Sequence, residues 1–229
     1  MLSIVIPTLN EEKYLPKLLS SIKKQNFKQK YEVIVADANS KDSTRDIANR
    51  YGCRIVKGGN HAVGKNNGAR AAKGDILLII DADAVMPKKF LTKNFQEFTK
   101  KNLDVASCYI KPIDGKFIDK ITHIIFNSFC FSFKKINPVV PSLCFFVKKN
   151  FFFKIGGFDE KVPWFVDLDF ANKLPKDTRY DILPVNVNVS VRMAERLGRF
   201  RQARIFFLLG LLRIIKRNYY GSYNLKERK

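Results

Sequence analysis

The stretch LLIIDADAVMP, from Leu77 to Pro87, runs four apolar residues straight into Asp81 and Asp83, with only Ala82 between them. Carboxylates at this spacing raise each other's cost of ionisation, so the pair calls for a positive partner. A hard divalent cation, Mg2+ or Mn2+, fits: such ions are held by one or two carboxylates together with phosphate oxygens and water. Taken alone, the same tripeptide would serve equally well as a capped strand end before a proline turn. The surrounding elements decide between the two.

The first 80 residues alternate short β-branched runs with helical patterns, the signature of βαβ units and a parallel sheet. LSIVIP reads as a strand. Asn10 is placed to cap the next helix, with Glu11 and Glu12 at the positive end of its dipole and Leu15, Leu18, Leu19 and Ile22 on one apolar face. YEVIVAD is a second strand. SKDSTRDIANRYG gives a loop, a cap at Asp42 or Ser43 and a short helix ending at Gly52, and CRIVKG is a third strand. VGKNNGARAAKGD supplies a glycine-rich turn and a helix. ILLII follows, apolar throughout as expected of a central parallel strand covered on both faces. The loops beginning at Pro7, Asp37, Lys57 and Asp81 therefore meet outside the carboxyl ends of the strands, where open α/β sheets bind ligands.

The second half is less regular. DVASCYI and VPSLCFFV look like strands, separated by FIDKITHIIFNSFCFSFKK. In that stretch Phe117, Ile121, Ile124 and Ile125 have helical spacing, yet the apolar residues spread beyond one face, which fits either a core helix or a surface that meets lipid. Cys53, Cys108, Cys130 and Cys144 lack CxxC spacing and read as reduced, buried thiols. His61 and His123 have no metal-ligand spacing and read as structural.

Charge narrows the partners. Lys and Arg total 42 against 21 Asp and Glu, a formal net charge of +21, which favours nucleic acid, anionic lipid or phosphorylated substrates. No signature of a nucleic-acid-binding module is visible, so nucleic acid is not the expected partner. Between Arg192 and Lys229 eleven Lys or Arg stand against two Glu. Within that segment IFFLLGLLRII, residues 205–215, is far shorter than the ~20 residues a membrane span needs and is interrupted by Arg213. Phe206, Phe207, Leu208, Leu211 and Leu212, flanked by Arg199, Arg201, Arg204, Arg213, Lys216 and Arg217, suit a helix lying on an anionic membrane, or one packed on the domain or a dimer interface. MLSIVIPT carries no export signal, so the expected location is cytoplasmic, peripheral at the inner face of the cell membrane.

In order along the chain, IVIPTLNEE, IVADANSKDST, GKNNGARAAKGDILLIIDAD, and IGGFDE with VDLDFANKL resemble the family 2 glycosyltransferases of the GT-A fold. The likeness runs over roughly residues 2–190 and is strongest in the first 90. It implies an α/β, Rossmann-like nucleotide-diphospho-sugar transferase: a mixed, mostly parallel central sheet flanked by helices, plus C-terminal amphipathic helices. A domain over 1–190 would divide into a nucleotide-binding half, 1–90, and an acceptor half, 91–190, followed by a basic amphipathic appendage over 191–229.

The resemblance also assigns roles. Pro7, Thr8 and Glu11 would surround the nucleoside, and Asp37 and Asn39 would lie in the loop that recognises the base. Ala38 stands where a second acid is usual, leaving uridine and guanosine both open. Lys65 and Asn66 would lie near the donor, Asp81 at the ribose or metal, and Asp83 on the metal itself. In VPWFVDLDFANKL, Val166 replaces the usual Glu, leaving Asp167 as the catalytic base, its pKa raised beside Trp164 and Phe165; Arg192 would reach the diphosphate. The implied reaction is an inverting, metal-dependent transfer from a UDP- or GDP-sugar to a lipid-linked or envelope saccharide acceptor. A nucleotidyltransferase would share the sheet and carboxylates, but it wants a glycine-rich basic loop after the first strand, where PTLNEE places acids.

Overall fold

The structure is a computed structural model, describing residues 1–113, 115–161, 166–201 and 204. Its elements are β1 (Leu2–Thr8), α1 (Leu15–Lys23), β2 (Tyr31–Asp37), α2 (Thr44–Arg50), β3 (Arg54–Lys57), α3 (His61–Ala71), β4 (Ile76–Ile80), β5 (Ala84–Val85), α4 (Phe90–Lys100), β6 (Val105–Ile113), α5 (Phe117–Phe133), β7 (Cys144–Lys148), α6 (Lys149–Lys154), α7 (Val166–Asn172), β8 (Tyr180–Ser190) and α8 (Arg192–Leu197). One sheet joins both halves in the order β3-β2-β1-β4-β7-β6-β8-β5. The first four strands are parallel. β7 is inserted antiparallel between β4 and β6, and β5 pairs antiparallel with β8, giving a mixed, mostly parallel sheet.

Two apolar layers cover the sheet, as the burial of both faces of β4 requires. Leu78 and Ile80 belong to the layer that includes Leu15, Leu18, Phe90 and Phe98. Leu77 and Ile79 belong to the other, with Phe145, Phe152, Phe158 and Phe170. The four cysteines are buried and reduced; burial pushes the Cys53 thiol up to about 11 and the Cys130 thiol up to about 12, so neither is a thiolate at neutral pH.

Two helix starts differ from the sequence reading. α1 begins at Leu15, not after Asn10, and no acid lies in its first turn. Residues 9–14 instead form a turn in which Asn10 is left-handed (φ 55°) and accepts from the Lys41 backbone N–H, while the Glu11 carbonyl accepts from Tyr14 and Leu15. The turn is tied to the loop after β2, so tertiary bonds outweigh the local cap. α3 begins at His61 behind an Asn60 cap, which accepts from the Val63 N–H, so Gly64 lies within the helix and not in a preceding turn. A Cβ at Gly64 would come within 3.2 Å of Pro7, and one at Gly68 would run into Val5. Both glycines let α3 press closely against β1.

α5 settles the ambiguous central stretch. Asp119, His123 and Cys130 are buried, and Asn127 clasps the Ile110 N–H and carbonyl, while Phe117, Ile124, Ile125 and Phe131 are exposed. Among the described residues no helix is long and apolar enough to cross a membrane. The expectations for residues 205–217, and for Trp164 and Phe165 beside Asp167, lie outside the described residues.

Candidate active site

Parallel pairing places the carboxyl ends of β1, β2 and β4 at one edge, and β8, parallel to β6, ends there too. Polar side chains gather at this edge in three groups. In the first, Thr8 Oγ1 donates to Asp37 Oδ2 at 3.0 Å, and Ser40 donates its backbone N–H and hydroxyl to the same carboxylate at 3.0 and 2.5 Å. Arg45 approaches Asp37 at 4.0 Å. The buried anion is thereby fixed in orientation. Asn39 is exposed at the tip of this loop with φ 67°. Pro7, partly buried, packs against Gly64 of α3.

The second group surrounds Asp81. Lys65 is almost wholly buried, at 1% exposure, and its ammonium donates to the Ser142 carbonyl and hydroxyl, both at 2.8 Å. It also lies 3.3 Å from Asp81 Oδ1. That separation makes an ion pair, and among the described residues Asp81 Oδ1 is buried with no hydrogen bond. The pair is Coulombic only. A buried carboxylate oxygen held by charge alone, with no hydrogen bond, is incompletely satisfied.

Successive residues on a helix diverge by about 100°. So Asn66 turns away from Asp81: its amide donates to the Phe158 carbonyl (2.9 Å) and to Glu160 (2.8 Å), and its oxygen accepts from the Phe158 N–H. Asn66 thus holds the GGFDE turn. There Gly157 has φ 59°, and a Cβ would fall 2.8 Å from Asn66 Oδ1. Phe158 in turn stacks on Phe170 of α7 at 4.8 Å, and Asp169 accepts from the Asp159 N–H. These contacts seat α7, whose first turn carries Asp167, partly exposed.

The third group surrounds Asp83. Arg192, the first residue of α8, binds Glu11 through both terminal nitrogens at 2.8 Å each and Asp83 through Nε at 2.7 Å, with its guanidinium over Tyr14 at 4.7 Å. One guanidinium therefore serves two carboxylates, with a third, Asp81, nearby. The balance is negative: burial, the Asp81 charge and the Glu11 charge outweigh Arg192 and push the Asp83 carboxyl up to about 6.

These residues fit a hard divalent cation. The donors are carboxylate oxygens, one is buried without a hydrogen bond, and the local charge is under-neutralised. Among the described residues no cluster of three or more His, Cys, Asp or Glu could hold a metal by itself. Two carboxylates with remaining positions left to phosphate and water suit Mg2+ or Mn2+ in that circumstance.

Of the residues singled out in the sequence, Thr8 and Asp37 meet in the first group, Lys65 and Asp81 in the second, and Glu11, Asp83 and Arg192 in the third. Asn66 holds the GGFDE turn, and Asp167 is carried by α7, which meets that turn through Phe170 and Asp169. Ser142 and Glu160 went unrecognised, since each owes its place to a partner 77 or 94 residues distant.

The glycosyl transferase family 2 profile matches residues 3–160. The chain belongs to this family of glycosyltransferase enzymes and has the GT-A fold. It is 29% identical over 123 residues to the poly(ribitol-phosphate) beta-N-acetylglucosaminyltransferase TarS of Staphylococcus aureus, matching 50% of this chain and 22% of TarS. A poly(ribitol-phosphate) beta-glucosyltransferase of Bacillus spizizenii is 31% identical over 150 residues, 61% of this chain and 22% of that protein. The chain thus spans about a fifth of the length of these curated relatives. In structure it resembles a mannosyltransferase of Pyrobaculum calidifontis in complex with GDP-Man and Mn2+, with a TM-score of 0.72 at 21% identity over 94% of this chain and 64% of that one. TarS residues 1–349 with UDP-GlcNAc give 0.68 at 21% identity over 82% and 58%.

Proposed function

We propose that this protein moves a sugar from a UDP- or GDP-sugar to a lipid-linked or envelope saccharide acceptor, inverting the anomeric centre, with Mg2+ or Mn2+ held by Asp81 and Asp83. The observation that carries the reading is the under-neutralised carboxylate pair, with Asp81 Oδ1 buried and undonated and Asp83 raised to about 6. UDP-GlcNAc and GDP-Man appear with structural neighbours, and poly(ribitol-phosphate) in the names of relatives, which supports the substrate classes.

The chain's own residues divide the work. Asp37, oriented by Thr8 and Ser40, presents its carboxylate to the base or ribose, with Pro7 and Asn39 beside it. The bound metal would neutralise charge developing on the departing nucleoside diphosphate. Lys65 holds Asp81 from behind, anchored on Ser142. Arg192 exchanges part of its carboxylate contact for a diphosphate oxygen, since its fork suits phosphate as well as carboxylate. Asn66 keeps the GGFDE turn, and through it α7, in register with the donor edge. From α7, Asp167 takes the proton of the acceptor hydroxyl as that oxygen bonds the anomeric carbon and the bond to diphosphate breaks. With an anionic phosphate acceptor no proton need move, and Asp167 orients the acceptor.

In this reading residues 1–90 bind the donor, 91–190 receive the acceptor, and the basic segment from 191 onward keeps the enzyme peripheral at the inner membrane face. Incubation of the purified chain with a panel of UDP- and GDP-sugars, Mn2+ and a membrane-lipid extract tests the proposal. One donor is expected to release its nucleoside diphosphate and give a product of opposite anomeric configuration by NMR. Retention of configuration, or release unaffected by chelation, would contradict it.

A further inference from the structure

α5 carries an outward apolar face that no described residue covers. Its inner stripe, Asp119, His123, Asn127 and Cys130, follows the 3-to-4 spacing of a helix packed on a sheet. The opposite stripe is aliphatic and aromatic: Phe117 is 78% exposed, Ile124 64% and Ile125 63%, with Phe131 half exposed. Isolated exposed apolar residues are ordinary, but a contiguous stripe along a 17-residue helix is not.

Charge identifies what would cover it. From Gly115 to Ile136 the sole acid is Asp119, and it is buried and bound by Arg199 at 2.9 and 3.0 Å. Exposed Lys116, Lys120 and Lys135 flank the apolar stripe. The Arg199–Asp119 pair also brings the basic stretch with Arg201 and Arg204, both exposed, to the first turn of α5, where Phe200 is 87% exposed. A second copy of this chain would bring like charge onto like; the segment beyond 204, which carries the apolar run of residues 205–215, lies outside the described residues and is an occupant that the label test below reads out. An anionic phospholipid surface matches both features, since it takes aliphatic side chains below the headgroups and lysines among the phosphates.

We infer that α5 is a membrane-docking helix that seats the protein on anionic phospholipid. This inference builds on the membrane-facing acceptor in the proposed function and assigns the contact to a definite surface. The helix starts beside the donor edge: a Cβ at Gly115 would lie 3.1 Å from Val191, the neighbour of Arg192. A docked α5 would therefore set the Asp83–Arg192 group close to the headgroup layer, where an acceptor with its lipid tail in the bilayer presents its polar end.

The full-length chain can be tested with vesicles of phosphatidylcholine, with or without phosphatidylglycerol. Ile125→Cys gives one exposed thiol against four buried native ones, so an environment-sensitive fluorophore can be attached there selectively. Its emission is expected to be that of water in free protein and to shift to the blue only with phosphatidylglycerol vesicles. In co-sedimentation, Ile124→Asn/Ile125→Asn/Phe131→Ser should weaken vesicle binding roughly tenfold or more, as loss of three buried apolar side chains requires. Its binding of UDP-GlcNAc or GDP-Man should match the unsubstituted chain.

A label already blue-shifted without vesicles would mean that this chain or a second copy covers α5, and would overturn the inference. Undiminished vesicle binding by the triple variant, or equal binding to phosphatidylcholine alone, would overturn it too. Failure of every sugar nucleotide to bind, with α5-dependent sedimentation intact, would reject the proposed donor chemistry and leave the docking surface standing.

Discussion

The two edges of the sheet treat their carboxylates in opposite ways. At the edge away from the donor loops, Asp104 precedes β6 and accepts from Arg179 and Lys148, and Asp181 on β8 accepts from Lys101 and Lys134. Burial alone would raise both, but the hydrogen bonds reverse this and bring each down to about 2. At the donor edge, among the described residues Asp81 Oδ1 has the Lys65 charge at 3.3 Å but no hydrogen bond, and Asp83 is pushed up to about 6 by burial and by its acidic neighbours. The basic side chains so abundant in this chain complete the scaffold and stop short of completing the site. Among the described residues the three acids at this edge, Glu11, Asp81 and Asp83, share one guanidinium and one lysine, an arrangement that suits charge arriving from outside.

The largest expected effect comes from breaking the donor edge. Asp83→Asn should lower transfer by about a hundredfold or more, as loss of a key electrostatic contact to a leaving diphosphate does. The melting temperature should hardly fall, because a crowded charge has been removed. Comparable transfer rates, or a collapse in stability, would erase the distinction between the edges. The converse substitution, Asp104→Ala, should cost about 2 kcal/mol in urea unfolding at neutral pH while the folded fraction binds sugar nucleotide normally.

Smaller, but specific in sign, is the pH dependence. Asp104 and Asp181 have folded pKa values below their unfolded ones, so their contribution is present above about pH 4 and is lost as pH falls towards 2. Asp83 is shifted the other way. Its folded form holds the proton more tightly than the unfolded chain, so stability should decline by roughly 1–3 kcal/mol between about pH 4 and 6 as pH rises. Urea titrations across that window should show this slope in the metal-free protein and not in Asp83→Asn. An identical slope in both would place the crowding elsewhere.

Much of the donor edge was legible because its signals are local. The continuous apolar run of β4 reports a strand covered on both faces, and the residue after it must emerge at the carboxyl edge whatever follows. The start of α1 is not legible for a related reason: Asn10, Glu11 and Glu12 make a good local cap, and only the loop after β2, thirty residues on, draws them into a turn instead. Gly64 and Gly68 resemble turn residues until β1 is seen beneath them. Arg192 was legible as a cation near the site but not as the partner of Glu11, 181 residues away, and of Asp83. Long-range pairing leaves no periodicity in a sequence.

The most direct test of the central claim is calorimetric titration of Mn2+ into the protein together with UDP or GDP, carried out on the unsubstituted chain and on Asp83→Asn. Mn2+ should strengthen nucleotide binding in the first by about tenfold or more and in the second scarcely at all. Equal strengthening in both, or none in either, would contradict the assignment of a metal–diphosphate site to Asp81 and Asp83.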